Sequence, residues 1–187
     1  MRWFGRWVCL PVLGLFVVLA ACDGFFSTAD FEPTGRPFGL DPGLTATSIT
    51  GGPQLVPAGT YTVDITAVAS GGAVSQQFPA GLLFSSLQPR VQHVVVLKEQ
   101  SAVFESGGGR QSVGVFCCNR YRRTPDQGDT FALGPVTDHA GLQEVAALVR
   151  DRDISGQLWM VQRAVWMVTD STGLNQAYRD SLAALPR

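Results

Sequence analysis

Apolar and polar side chains alternate in the segment that begins at residue 59. Residues 59–68 read GTYTVDITAV, in which Tyr61, Val63 and Ile65 alternate with polar residues. A period of two residues is typical of a strand with one buried face. Further short apolar runs, separated by breaks rich in Gly, Ser and Pro, occur at 76–86, 91–99, 101–104 and 112–118. Five or so strands at this spacing predict an antiparallel sheet, either a sandwich or a barrel-like form.

The pattern changes to a helical one after residue 131. Residues 140–149 predict a first helix, and Asp138 is its candidate N-cap. A second helix is predicted from Ser155, as its N-cap, through about Val168. The residues expected on the buried face of the first helix are Leu142, Val145, Ala146 and Val149.

A third helix is predicted between Thr172 and Leu185, and it completes a helical half of the chain. We expect an α+β fold in which a β-rich half, residues 45–134, and a helical half, residues 135–187, form a single domain with one core. The apolar stripe of the third helix consists of Leu174, Tyr178, Leu182 and Leu185.

The first 21 residues are typical of an export signal. Arg2 and Arg6 precede residues 7–21, which carry no charge. This stretch is shorter than the roughly 20 residues that a helix needs to span a bilayer, so a transmembrane anchor is the weaker interpretation. Residues 22–44 are rich in turn-forming residues and are predicted to be a tether, part of which packs on the domain because it contains four Phe.

The tetrapeptide Leu19-Ala20-Ala21-Cys22 resembles the lipobox of bacterial lipoproteins. The resemblance implies cleavage before Cys22, acylation of that cysteine and a domain held outside the cytoplasm on a membrane of the cell envelope. Two or three acyl chains give lasting attachment. Asp23 resembles the inner-membrane retention signal of proteobacterial lipoproteins, although the sequence leaves the choice of membrane open. The alternative is a secretory peptidase that cuts nearby and leaves Cys22 as a plain thiol.

Composition narrows the function classes. The chain has 14 Lys and Arg against 15 Asp and Glu, which leaves no basic surplus for nucleic acid. Once Cys9 leaves with the signal and Cys22 carries lipid, only Cys117 and Cys118 remain, so the domain is not a disulfide scaffold. Its expected partners are the membrane and a protein or amine-bearing surface ligand.

The second predicted helix contains a glutamine among apolar residues. Residues 158–168 read LWMVQRAVWMV, and only Gln162 and Arg163 interrupt the apolar pattern. We therefore expect Gln162 to be buried and to need hydrogen-bond partners, because a buried amide without them costs about 1–3 kcal/mol. Most buried glutamines find such partners in the backbone of a neighbouring element.

Two short motifs resemble the thioester domains of Gram-positive surface adhesins. They are Phe116-Cys117-Cys118-Asn119 and the sequence from Val161 to Trp166, where Val161 takes the place of the family's threonine. The resemblance implies that Cys117 is the thiol and Gln162 the acyl donor of an internal thioester that acylates an amine on a ligand. The residues that it implies as packing residues of the motif are Phe116, Asn119, Ala164, Val165 and Trp166.

Other chemistry for the cysteines is also open. Cys117 and Cys118 could form a vicinal disulfide, or both could be small buried hydrophobes. Three arginines, Arg120, Arg122 and Arg123, could favour a thiolate or form a solvated turn.

A cysteine hydrolase would have to use His93 or His139, and no local signature supports one. There is no CxxC or HExxH spacing for zinc. The sequence thus predicts a lipid-anchored binding or adhesion module, with or without the thioester, and no enzyme activity, metal or cofactor. The alternative is a structural or interaction lipoprotein without covalent chemistry.

Overall fold

The computed structural model describes residues 30–52, 55–170 and 173–187. Cys22 and the predicted signal, residues 1–21, lie outside this part of the chain. The strands are β1 (Gly35–Arg36), β2 (Leu44–Gly52), β3 (Tyr61–Ala69), β4 (Val74–Phe78), β5 (Leu82–Ser86), β6 (Val94–Val95), β7 (Gln100–Phe104), β8 (Gly109–Cys117) and β9 (Phe131–Thr137). The helices are α1 (Ala140–Val149), α2 (Leu158–Thr169) and α3 (Gln176–Ala183).

Seven of the described strands form one sheet in the order β1-β9-β5-β6-β8-β3-β2, and neighbouring strands are antiparallel. The sheet curls into a half-barrel, and β4 and β7 form a separate two-stranded antiparallel sheet. The three helices follow in the C-terminal half. The predicted α+β class is confirmed, and the barrel-like form is the one adopted.

The central strands separate two buried clusters. At the end of β8, Val115 and Cys117 belong to a barrel-side core inside the curl, whereas Phe116 and the following residue, Cys118, belong to a helix-side core under the helices. This alternation follows from the two-residue period of a strand. Because both faces are covered there, β5, β6 and the second half of β8 have continuous apolar runs in place of an alternating pattern.

Three strands, β1, β2 and β9, were not predicted from the sequence, and one predicted run divides. β2 has mostly polar residues on an edge of the sheet, and β9 contains Pro135, a residue that argues against a strand. The run at 76–86 divides into β4 and β5 at Gly81, whose φ of 86° turns the chain. A positive φ is accessible to glycine without steric cost.

The helix starts differ from the predicted ones. α1 is capped by His139, whose Nδ1 accepts from Leu142 N–H at 3.3 Å. The predicted cap, Asp138, instead accepts a hydrogen bond from the Thr34 hydroxyl. A short 3₁₀ turn precedes α2, and its first residue, Ser155, donates to Asp153 and does not cap. α3 begins after Asn175, later than predicted, while Thr172 lies outside the described residues.

The predicted buried faces are confirmed for α1 and in large part for α3. Leu142, Val145, Ala146 and Val149 all lie in the helix-side core. The same core contains Leu174, Leu182 and Leu185, and Tyr178 packs against it half-buried.

The chain before β2 also packs on the domain. Phe31 is buried in the helix-side core, and β1 pairs with β9. Within the described residues there is no helix with the length and apolar character that a membrane span requires.

Candidate functional site

Gln162 and Cys117 meet where α2 crosses the end of β8. The Gln162 side-chain amide is fully buried, and its Nε2 donates to the Cys117 carbonyl at 2.7 Å. Its Oε1 accepts from the Cys117 backbone N–H at 2.9 Å and from the Thr60 hydroxyl at 2.6 Å. The prediction that Gln162 is buried and bonded to the backbone of a neighbouring strand is confirmed.

Strand register explains why this amide is needed. On one side of β8, Cys117 lies opposite Val94, and the Cys118 N–H donates to the His93 carbonyl. In an antiparallel ladder adjacent residues direct their backbone groups to opposite neighbours, so the N–H and C=O of Cys117 face the β3 side. β3 begins only at Tyr61, opposite Val115. The Gln162 amide therefore supplies the donor and acceptor that another strand residue would have supplied.

The two thiols lie on opposite faces of the sheet, where β8 ends. Both are free and fully buried, Cys117 in the barrel-side core and Cys118 in the helix-side core. Burial raises the pKa of the Cys117 thiol well above its usual value, and the neighbouring Cys118 raises it further. Burial likewise raises the pKa of Cys118. The vicinal disulfide is not formed, and in this arrangement the thiols pack as small hydrophobes.

The arginines that follow the cysteines are directed to other partners. Arg122 lies 3.0 Å from Asp30 and 3.2 Å from Glu32, and Arg123 lies 2.7 Å from Asp129. These ion pairs stabilise the loop after β8. The pKa of the Cys117 thiol is set by burial and Cys118, so the hypothesis that these arginines stabilise a thiolate is not supported.

Tyr61 lies between Cys117 and a surface depression. It lines a cavity of about 340 Å³ together with the segment 123–126. The pKa of the Tyr61 hydroxyl is raised by burial and by the Cys117 thiol, while a hydrogen bond with Thr124 lowers it. The sequence did not mark Thr60 or Tyr61 as site residues, because a threonine before a strand and an apolar residue at its start are both ordinary.

The remaining motif residues form the packing around this contact. Phe116, Ala164 and Val165 are fully buried in the helix-side core. Trp166 is half-buried; its indole Nε1 donates to Gln92 at 3.3 Å. Although only Gln162 and Arg163 interrupt its apolar sequence, α2 has an exposed side: Trp159 is 55% exposed, and Arg163 is exposed too.

Asn119 turns the chain out of β8. Its φ is 59°, a value that asparagine tolerates better than most residues. Its Nδ2 donates to the Phe31 carbonyl at 2.9 Å, which ties the N-terminal segment to the end of β8. Its buried Oδ1 has no partner among the described residues.

The two histidines have structural partners. The Nδ1 of His93 accepts from Ser86 N–H at 3.0 Å, and burial and Arg122 lower the pKa of its imidazole. His139 caps α1. No group of three or more His, Cys, Asp or Glu side chains converges as a metal site in the part of the chain that the structure describes.

No protein family, curated protein or solved structure matches this chain.

Proposed function

We propose that this protein is a lipid-anchored, extracytoplasmic binding module that holds its partner without covalent chemistry. The observation that carries the proposal is Leu19-Ala20-Ala21-Cys22, placed directly after the uncharged residues 7–21. A lipid-modified Cys22 leaves the folded domain at the surface of a membrane, in the cell envelope. The domain then acts there by binding a protein or another surface ligand.

The described chemistry supports binding over catalysis. Both thiols are buried with raised pKa values, so neither is a ready nucleophile at neutral pH. His93 and His139 are engaged in the loop and at the helix cap. We therefore favour recognition of a partner by the domain surface over catalysis.

The anchor is tested by Cys22→Ser in the full chain, expressed in a bacterial host and labelled with a palmitate analogue. We expect the variant to lose the label and to accumulate as precursor. Cys9→Ser is the matched control, because it removes a cysteine that lies within the predicted signal, and it should retain label. If the Cys22→Ser protein retains as much label as the parent and the Cys9→Ser control, the lipoprotein proposal is contradicted.

A second candidate function is a binding module that uses a Cys117–Gln162 thioester. The observation in its favour is the contact of Gln162 with the Cys117 backbone in a buried site. The Cys117 sulfur would attack the Gln162 amide carbon, the C–N bond would break, and ammonia would leave with the thiol proton. A ligand amine would then attack the thioester carbonyl, form an amide and return the thiol.

The covalent candidate requires a rearrangement, because Gln162 must release the Cys117 backbone before its carbonyl carbon can meet the sulfur. If the thioester forms, the protein lacks the mass of one ammonia, methylamine restores the mass of an amide adduct, and Cys117 becomes alkylated only after that treatment. Cys117→Ala should remove the deficit, whereas Cys118→Ala should keep it. A full mass in untreated protein contradicts the thioester and leaves the non-covalent module.

A further inference from the structure

The described chain begins close to two loops at one end of the half-barrel. Asp30 and Arg122 form an ion pair at 3.0 Å. A depression of about 650 Å³ lies here, and its lining residues are Asp30, Pro89, Arg90, Tyr121, Arg122 and Arg123. We call the surface around this depression, together with the adjacent Arg120, the anchor-side face.

Backbone hydrogen bonds hold these two loops together. The Arg123 N–H donates to the Arg90 carbonyl at 2.7 Å, and the Gln92 N–H donates to the Arg123 carbonyl at 2.9 Å. The Gln92 side chain also donates to the Arg122 carbonyl at 2.8 Å. The anchor-side face is thus a fixed surface with the start of the described chain attached to it.

The length of the tether limits which face can meet the membrane. Eight residue steps separate Cys22 from Asp30, and a fully extended chain of that length spans about 26–29 Å. A compact domain of roughly 150 residues has a radius of gyration of about 15 Å and hence a diameter of about 40 Å. With lipid on Cys22, the side of the domain opposite Asp30 cannot turn to the bilayer surface.

The anchor-side face has the chemistry of a membrane interface. Tyr121 is 79% exposed, the highest exposure among the large hydrophobic side chains described. Aromatic residues with a polar end favour the headgroup level of a bilayer. A single exposed tyrosine is ordinary on a protein surface, so the assignment of this face to the membrane depends on the charged residues beside Tyr121.

Two arginines of this face lie outside its ion pairs. Arg122 is paired with Asp30 and Glu32, and Arg123 with Asp129. Within the described ranges no ion pair involves Arg90 or Arg120, and both are exposed. Arg120 lies over the Trp166 ring at 6.0 Å, and its backbone N–H donates to the carboxylate of Asp170 at 3.4 Å. Its charge also acts on that carboxylate: burial raises the pKa of Asp170, and Arg120 lowers it. Arg90 is therefore the less engaged of the two cations.

We propose that the anchor-side face rests on the bilayer, with Tyr121 at headgroup level and Arg90 and Arg120 on the phosphates of anionic lipids. This inference rests on the proposed lipid anchor at Cys22. The anchor brings the face within reach of the membrane, and the two cations add an attraction that depends on lipid charge and salt.

The test uses the mature protein purified with its native anchor and reconstituted into vesicles of phosphatidylcholine, with and without phosphatidylglycerol. An environment-sensitive fluorophore is attached at Tyr121→Cys, and the vesicles contain a spin-labelled quencher lipid. Ser106→Cys is the matched control, because Ser106 is exposed beyond the opposite end of β8. A strand of this length separates the two labels by on the order of 27 Å. Unmodified protein gives the background labelling of Cys117 and Cys118.

We expect quenching at position 121, stronger with anionic lipid, and little quenching at position 106. Arg90→Asn, chosen because Asn tolerates the φ of 71° at this position, and Arg120→Gln should each lower the ratio of docked to undocked protein. The expected decrease is about fivefold for Arg90→Asn and smaller for Arg120→Gln, because the charge of Arg120 also acts on the Asp170 carboxylate. Circular dichroism confirms that the variants are folded.

Three outcomes would contradict the docking. They are equal quenching at both positions, no quenching at position 121, and quenching at position 121 that neither phosphatidylglycerol nor the arginine variants change. Protein that sediments with the vesicles and gives one of these results overturns the docking alone. Purified protein that carries no lipid and does not sediment with the vesicles overturns the proposed anchor and the docking with it.

Discussion

Replacement of Gln162 by leucine tests the role that strand register gives to its amide. The change keeps an apolar side chain of similar size but removes the partners of Cys117 N–H, of Cys117 C=O and of the Thr60 hydroxyl. The hydroxyl can rotate, whereas the two backbone groups are fixed in β8. Each buried group left without a partner costs about 1–3 kcal/mol, so we expect a loss of roughly 2–5 kcal/mol in the free energy of unfolding.

The assay is equilibrium urea unfolding, supported by thermal melts. For a domain of this size, each 1 kcal/mol lowers Tm by about 2–4 °C, so the variant should melt roughly 5–20 °C below the parent protein. Gln157→Leu is the matched control, because Gln157 is exposed and makes no capping hydrogen bond at the start of α2. Its free energy of unfolding should stay within about 0.5 kcal/mol of the value for the parent protein.

A Gln162→Leu protein as stable as the Gln157→Leu control would refute the reasoning.

The variant Gln162→Glu should make the stability of the protein depend on pH. A neutral carboxyl can still donate to the Cys117 carbonyl, whereas a buried carboxylate repels it. The folded pKa of this introduced glutamate should therefore lie above the unfolded value of about 4.3. Stability should be greatest below that pH and fall as pH rises through the folded pKa.

Three further changes test the packing and charge of the domain. Trp166→Ala should cost about 2–3 kcal/mol in urea unfolding, below the range for a fully buried tryptophan, because Trp166 is half-buried; an unchanged midpoint would contradict its packing role. Gly59→Ala places a Cβ 2.2 Å from the Val115 backbone nitrogen and should cost about 1–3 kcal/mol or more, whereas Gly39→Ala meets open space and should change little. Asp129 has a lowered pKa, chiefly because of its hydrogen bond with Arg123, so its stabilising effect is present above about pH 4 and lost as pH falls. Asp129→Asn should therefore be less stable than the parent at pH 7 and approach it in acid, and a difference independent of pH would argue against the ion pair.

The sequence predicted the burial of Gln162 but not the geometry of its site. An apolar helix interrupted by one amide is a local pattern, and it correctly required hydrogen-bond partners. The identity of those partners depends on where β3 begins relative to β8, which is a long-range register. Thr60 carries no signal of its own, because a threonine before a strand is common.

The elements that were missed have similar causes. β2 lies at a sheet edge, where polar residues are tolerated on both faces, and a two-residue period therefore disappears. The cap of α1 moved from Asp138 to His139 because Thr34, 104 positions away, bonds the aspartate. Local pattern cannot anticipate such competition between side chains that only the fold brings together.

The measurement that tests the proposed function most directly is the intact mass of the protein extracted from bacterial membranes in mild detergent. The account predicts a chain of residues 22–187 that carries two or three acyl chains and the full mass of its amides. A chain that begins elsewhere, or one that starts at Cys22 without acyl groups, would contradict the lipid anchor, and a lipidated chain short by one ammonia would contradict non-covalent binding.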